Sequence, residues 1–350
     1  MLRSRMSYDE VRQTLLQKVL LAGVIVLPLL AIALAVPFAW GGWLGWLDLL
    51  LAFLCYLLTT HGITVGFHRH FTHGAFRATR TVRLTLAILG SMAIQGPVIQ
   101  WVADHRRHHQ HSDAQDDPHS PWRYGTGPVA LMRGLWWAHL GWLFDTAQSP
   151  PARYAPDLLA DRDLVRVSRA FPGLVVASLL GPALIGGLLT WSWQGAVTAF
   201  FWASLIRIAV VHHMTWSINS ICHVWGERPF RTRDHSGNVR WLAVISAGES
   251  WHNLHHCDPT LARHGVLPGQ VDSSARVIAW LEARGLAWDV RWPDPERLRR
   301  RLVEPSLLPL TAPPGVVAPA GCMSPESRVT TDGPPIPGQR ALLSAGSPGN

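Results

Sequence analysis

The chain has 350 residues, 48% of them hydrophobic and 15% charged, with a formal net charge of +8. It is poorer in charge than an ordinary soluble domain, and its apolar residues are bunched into long runs, so its basic balance points to an anionic membrane surface and not to nucleic acid. Four cysteines (Cys55, Cys222, Cys257 and Cys322) contain no CxxC pair, and neither a disulfide framework nor a thiolate zinc site follows from their spacing.

Residues 1–18 are polar and carry Arg3, Arg5, Arg12 and Lys18. The first apolar run is Val19 to Phe38 and the second is Trp46 to Val65, each near the ~20 residues that cross a bilayer as a helix. No small-residue cleavage site clearly follows the first run, so no cleavable signal is expected. The linker from Ala39 to Gly45 is uncharged. A polar stretch from about Gly66 to Ala170 follows, then two more apolar runs, Phe171 to Leu189 and Trp193 to Val211, joined by a tight uncharged turn. From His212 to Arg301 the chain is polar and rich in His and Arg. The tail, 303–350, is dense in Pro, Gly and Ser, a composition of disordered segments. A membrane-embedded domain with a polar cap is therefore expected over 19–302, behind a short N-terminal segment. Some of the eighteen tryptophans suit a belt at the membrane interface.

Arginines crowd the polar regions and both short linkers lack charge. By the positive-inside rule four helices form two hairpins, with both termini and the polar cap in the cytoplasm, beneath the inner membrane in a bacterium. The segment Val82 to Gln100 is apolar enough to suggest a fifth span. That would put the histidines before and after it on opposite sides of the bilayer, so a helix lying in the interface or against the cap is expected instead.

Nine of the eighteen histidines fall into four patterns. His68 and His73 form HxxxxH. His105, His108 and His109 form HxxHH, as do His252, His255 and His256, and His223 lies four residues after Asn219. On a helix, positions i, i+3 and i+4 share a face, so each HxxHH aims its imidazoles one way; HxxxxH leaves that face slightly and suits a helix end. Neutral imidazole suits iron, zinc, copper or nickel. A structural zinc ion takes four ligands, so nine imidazoles imply two ions. Asp104, Asp113, Asp116 and Glu249 stand near enough in sequence to fix imidazole N–H groups. No ExxH pair of a carboxylate-rich di-iron bundle is present. His61, His139, His212, His213 and His264 receive no role, and His70, His111 and His119 fall off the pattern.

With "TVGFHRHFTH", "QGPVIQWVADHRRHH", "TWSINSICH" and "GESWHNLHH" in this order, the sequence resembles the membrane fatty-acyl desaturases, most of all the delta-9 acyl-CoA branch, from about Leu50 to His264. The resemblance implies an all-α membrane protein with a histidine-ligated di-iron site in a cytoplasmic helical domain. It places one iron on His68, His73, His105, His109 and His256. The other falls on His108, His223, His252 and His255, with Asn219 holding a water. It implies that Gln95, Trp101, Thr215 and Trp216 line the bend of an acyl tunnel, that Asp104 meets a coenzyme A head group, and that Tyr56 and Thr60 close the far end. Ala103, the pair Asp145–Thr146 and Gly96 depart from the acyl-CoA pattern and leave room for a lipid-bound or carrier-protein-bound chain.

The implied reaction is O2-dependent insertion of a cis double bond into a long-chain acyl substrate, a CoA thioester in the branch most resembled. An unactivated C–H bond requires an oxidising metal centre. The chain shows no GxGxxG, CxxC or haem-binding domain, so its two electrons come from a separate donor such as a ferredoxin or a flavin reductase. Two rival readings are a lipid hydroxylase or ketolase on the same scaffold, and a non-catalytic metal or haem transporter. A transporter would carry polar residues at mid-membrane depth, whereas these histidines lie at the ends of the runs.

Overall fold

Four helices of the computed structural model, which describes residues 13–145 and 148–304, are long and apolar enough to cross a membrane. They are α1 (Leu15–Trp40), α2 (Trp46–Thr72), α7 (Phe171–Thr190) and α8 (Trp193–His223). The 20 residues of α7 alone rise about 30 Å at 1.5 Å per residue. Arg3, Arg5, Arg12, Thr146, Cys322 and the tail from residue 305 lie outside the described residues.

Local chemistry sets the helix ends. Thr14 and Gln17 form a reciprocal cap at the start of α1. Trp191, at φ 48°, ends α7 in the left-handed conformation and reverses the chain. There Gly186 and Gly195 permit close packing of α7 on α8: a Cβ on Gly186 would lie 2.6 Å from the Gly195 carbonyl oxygen. α1 also packs on α8, with the Phe38 and Phe201 rings 4.6 Å apart. α2 and α8 are the inner pair, with 44% and 56% of the residues of an apolar 18-residue stretch buried, and α1 and α7 the outer pair at 17% each. The outer pair thus presents apolar side chains outward, as a lipid-facing helix does.

Residues near the two short linkers touch one another. Thr198 donates to Asp48 at 2.9 Å and the Trp202 indole to the Trp43 carbonyl at 2.6 Å. Exposed Trp40 and Trp46 flank one linker, and exposed Trp191 and Trp193 the other. Asp48 lies inside the second apolar run, and Arg207 lies within α8. The Arg207 guanidinium is buried against the Ser178 and Met92 carbonyls at 3.0 and 3.2 Å, so it is fully engaged within the helices.

At the opposite end, α2 and α8 run past the apolar residues visible in sequence. The last turns of α2, Gly62–Thr72, are π-helical. The stretch that raised the question of a fifth span divides into α3 (Arg80–Ser91) and α4 (Val98–His111). At 12 residues α3 is too short to cross. It lies against the π-helical turns, where a Cβ on Gly62 would come within 2.3 Å of the Gly90 amide nitrogen. The cap continues with α5 (Pro128–His139), α6 (Arg162–Arg169), α9 (His252–Cys257) and α10 (Ser273–Ala283). The fold is mostly helical; the all-α expectation misses one two-residue ribbon, Arg77–Ala78 paired antiparallel with Ala287–Trp288. Phe67, Phe71, Phe76, Val98 and Val102 belong to one buried apolar cluster.

Candidate metal centre

The five-residue spacing of His68 and His73 matches the i→i+5 repeat of a π-helix, and the His73 amide closes on the His68 carbonyl at 3.2 Å. The two rings therefore lie side by side, centroids 5.0 Å apart. One turn of α4 brings His105 and His109 together, Nε2 to Nε2 3.1 Å. α9 supplies His252, His255 and His256, and His223 caps the end of α8. All nine pattern histidines converge, as two sets.

In the first set, His68, His73, His105, His109 and His255 bring ligand nitrogens within 4.8 Å of one another. The second set is His108, His223, His252 and His256. This corrects the division that the resemblance implied, because His255 and His256 exchange places. Adjacent side chains on a helix point about 100° apart. On α9 this aims His255 at His68 and His109, Nε2 to Nε2 3.0 and 2.8 Å. His256 stacks on His109 at 4.5 Å, yet its ligand nitrogen groups with those of His108, His223 and His252.

The donor set fits metal ions. Three successive Nε2···Nε2 contacts of 2.8–3.1 Å join His68, His255, His109 and His105. A neutral imidazole has one N–H donor, so hydrogen bonds alone do not satisfy so many converging nitrogens. His73 and His256 each leave a buried Nε2 with no hydrogen-bond partner. A cation held among these lone pairs satisfies them together. Protons are disfavoured on the rings of α4 and α9. Burial, reinforced by the neighbouring imidazoles, holds His105, His108, His109, His252 and His255 well below their ordinary pKa.

Carboxylates fix the outer nitrogens and leave Nε2 free to bind. The Nδ1 of His108 lies 3.0 Å from Asp117, that of His223 3.1 Å from Asp113, and that of His256 2.7 Å from Asp234. The His68 Nδ1 faces Glu249, which also accepts from Arg69 at 3.0 Å. Arg69 is fully buried and reaches Asp272 at 3.0 Å on its other side. Of the acids singled out in sequence, Asp113 and Glu249 take this place. Asp104 accepts instead from Gln100 at 3.2 Å and Ser149 at 3.4 Å, and burial lifts its carboxyl to about 6. Asp116 is exposed and 4.0 Å from His111, off the centre. Asp117 and Asp234 went unseen in sequence. The run of acids after the second histidine cluster is the one signal that could have found Asp117.

Two histidines passed over in sequence also touch the centre. His119 stacks on His108 at 4.3 Å, and His264 lies 4.6 Å from the His255 ring. The Arg69 guanidinium, 3.3 Å from the His264 Nδ1, opposes a cation there. Of the others, exposed His235 lies 3.5 Å from Asp113, and His212 stands in the wall of the adjoining cavity. His61 and His212 bond backbone carbonyls, His70 bonds Phe76, and His139 pairs with His213.

A cavity of about 960 Å³ adjoins the centre, with His68, His105 and His252 in its wall. Gln95, Trp101, Asp104, Thr215, Trp216 and Asn219 line it too. Gln95 ties two of these walls together: its amide donates to Thr215 at 2.8 Å and accepts from the Trp101 indole at 3.2 Å. Trp101 in turn stacks on His105 at 5.0 Å. Tyr56 and Thr60 are not among the lining residues. The Tyr56 hydroxyl donates to the Ile245 carbonyl, which holds the ring against the cap, and Thr60 is buried.

The fatty acid desaturase family matches residues 44–266. A hex-5-enoyl-[acyl-carrier protein] acetylenase of Moorena producens is 38% identical over 278 residues, 79% of this chain and 87% of that protein. Delta-9 acyl-lipid desaturase 1 of Arabidopsis thaliana is 38% identical over 257 residues, 73% of this chain and 79% of that protein. The sn-1 stearoyl-lipid 9-desaturase of Anabaena variabilis is 34% identical over 253 residues, 71% and 86% of the two chains. With the motif histidines gathered beside an apolar cavity, and with this similarity over most of its length, the chain belongs to the fatty acid desaturase family and is an oxidoreductase of lipid metabolism.

Proposed function

We propose that this protein inserts a cis double bond at the delta-9 position of a long-chain fatty-acyl substrate, using O2 and two irons held by the nine histidines. The observation that carries this reading is the pair of imidazole clusters whose His68, His105 and His252 form part of an apolar cavity wall. Two irons bound there would supply the oxidising power that an unactivated methylene requires. The net reaction removes one hydrogen from each of two neighbouring carbons. Those two hydrogens, together with O2, two electrons and two protons, leave as two waters. A separate carrier, a ferredoxin or a flavin reductase by this reading, supplies the electrons.

The chain's own residues position and exclude. The carboxylates of Asp117, Asp113, Asp234 and Glu249 hold the imidazole tautomers that point Nε2 inward. Asn219, which lines the cavity as His252 does, is suited to hold a water at the second set. Trp101, Trp216 and the Gln95–Thr215 bridge give the cavity a fixed apolar contour, so that one methylene pair is presented and bulk water is kept out. The coenzyme A thioester implied by the acyl-CoA branch is one carrier for such a chain. Asp104, its expected head-group contact, is engaged with Gln100 and Ser149.

In this reading both termini and the metal centre face the cytoplasm, and the two linkers with their tryptophans face the other side. The test of function is the fatty-acid profile of a desaturase-deficient host expressing the chain. A new cis-9 monoene is expected, lost on His105→Ala or His255→Ala. A hydroxy or keto product would favour the rival lipid oxidation. Cysteine labelling from outside intact cells should reach the linker at Ala39–Gly45 and the Leu189–Trp193 turn; labelling at Arg77 or Arg123 would reverse the topology.

A further inference from the structure

The carboxylates that fix the outer nitrogens differ in what stands behind them. Asp117, Asp234 and Glu249 are buried. Asp113 instead accepts from the His235 amide at 2.7 Å, and its Oδ2 lies 3.5 Å from the His235 Nδ1 and 3.1 Å from the His223 Nδ1. The His235 side chain is 52% exposed, whereas that of His223 is fully buried. Half-buried Trp122 lies against the exposed ring, centroids 4.5 Å apart, and its indole donates to the His223 carbonyl at 2.9 Å. Two aromatic rings thus lead from solvent to a histidine of the second set through short contacts. Asp113, Trp122, His223 and His235 do not line the acyl cavity, whose wall meets the centre at His68, His105 and His252. The chain on either side of the two rings is basic. It carries Arg107, Arg123, Arg228, Arg231 and Arg233, against Asp116 and Glu227 as exposed acids. Arg233 donates to the His109 carbonyl at 2.6 Å, and Arg228 reaches the Asp234 carbonyl, next to His235.

We propose that this face docks a small acidic one-electron carrier protein, and that electrons enter the second histidine set through Trp122, His235 and Asp113. The inference rests on the desaturase reading and gives the electron donor its place on the molecule. At each docking one electron passes from the reduced carrier to the metal pair, and no bond to the chain forms or breaks. Two dockings meet the two electrons of a turnover. A carrier protein cannot touch the buried imidazoles, and electron transfer through protein weakens steeply with each ångström. The carrier must therefore bring its redox group to an exposed ring in short contact with a ligand. Arginines around that ring steer an acidic partner into a brief encounter, whose affinity falls as salt screens the charges. Because the cavity wall shares none of the four entry residues, carrier and acyl chain can be bound together.

The test uses the full chain in lipid nanodiscs, loaded with zinc for binding and with iron for reduction, and a plant-type ferredoxin as the acidic carrier. Ferredoxin should bind the zinc-loaded chain at low salt and weaken about tenfold or more as salt rises from ~0.05 M to ~0.5 M. Arg123→Glu and Arg233→Glu should each weaken low-salt binding about tenfold. The Arg123 guanidinium lies over Trp137 and touches no metal ligand, so its reversal leaves the centre intact. Arg77→Glu, exposed on the two-residue ribbon, should bind as wild type. His235→Ala keeps the backbone amide on Asp113 and should also bind as wild type. In stopped flow the iron-loaded variant should take its first electron from reduced ferredoxin several-fold more slowly, with reduction by dithionite unchanged. No binding at low salt, wild-type affinity in both reversals, or an equal loss in Arg77→Glu would overturn the proposal. So would a wild-type rate of electron transfer in His235→Ala, or a flavin reductase that binds in place of ferredoxin and ignores both reversals. If ferredoxin docks as expected but the dithionite-reduced, iron-loaded chain makes no monoene, the desaturase reading fails and the docking surface stands.

Discussion

Replacing Asp234 by Asn should loosen one metal set and spare the other. In the native protein the carboxylate accepts from the His256 Nδ1 at 2.7 Å and from the Ser236 hydroxyl and amide at 2.6 and 3.1 Å. An amide has one acceptor oxygen. If it serves Ser236, its NH2 confronts the His256 N–H; if it serves His256, its NH2 confronts the Ser236 N–H. Either way a buried charge-assisted hydrogen bond is lost, about 1.5–3 kcal/mol. At about 1.4 kcal/mol per decade that weakens metal binding roughly 10–100-fold, within the range known for groups that orient ligands. Anaerobic titration of chelator-stripped protein with Fe2+ or Co2+, in competition with a chelator, reads the two affinities. The weaker affinity should appear at one site, with the other unchanged. Asp116→Asn, at an exposed position, should titrate as wild type. Unchanged affinity in a folded Asp234→Asn protein, or equal loss in Asp116→Asn, would refute the orienting role.

Gln95→Leu breaks the bridge between Trp101 and Thr215 and should lower kcat/KM about tenfold while metal content holds, because a half-buried indole N–H loses its partner at about 1–1.5 kcal/mol. Gly62→Ala should destabilise the protein by about 1–3 kcal/mol or more, read as a lower thermal midpoint, since its methyl would meet the Gly90 backbone. The metal-free protein should lose stability in acid. Burial depresses the His119 imidazole to about 4 and lowers those of His105, His108, His109, His252 and His255. The unfolded chain therefore binds more protons as pH falls below about 6.5, and each such group removes up to ~1.4 kcal/mol per pH unit down to its folded value. A thermal midpoint that is flat from pH 7 to pH 4 would contradict this. Tyr56→Ala should leave chain-length preference unchanged, because Tyr56 is outside the cavity wall and bonds the cap; a shift to longer chains would restore it as a tunnel end.

The spacing of the histidines carried most of the site into the sequence, because a helix repeats its faces and HxxHH is therefore a geometric statement. The four apolar runs were equally plain, since length and hydropathy decide whether a segment can cross. Other features depend on packing that spacing does not encode. The π-helical turns of α2 align His68 with His73 although five residues miss an α-helical face. Which of His255 and His256 joins which set depends on how α9 is rotated against α4. Asp117 and Asp234 reach their histidines through loops whose course no periodicity records. Arg69 stands between two motif histidines and looks like surface charge, yet it is enclosed by Glu249 and Asp272. The Tyr56 expectation came from resemblance alone, and a hydrogen bond to a cap residue 189 positions away has no local signal.

The central claim is that nine imidazoles hold a pair of irons that does the oxidation. Iron content and turnover measured on one reduced, oxygen-protected preparation test it most directly. About two irons per chain at full activity are predicted, with activity falling as either is removed; full desaturation at one metal per chain would contradict the account.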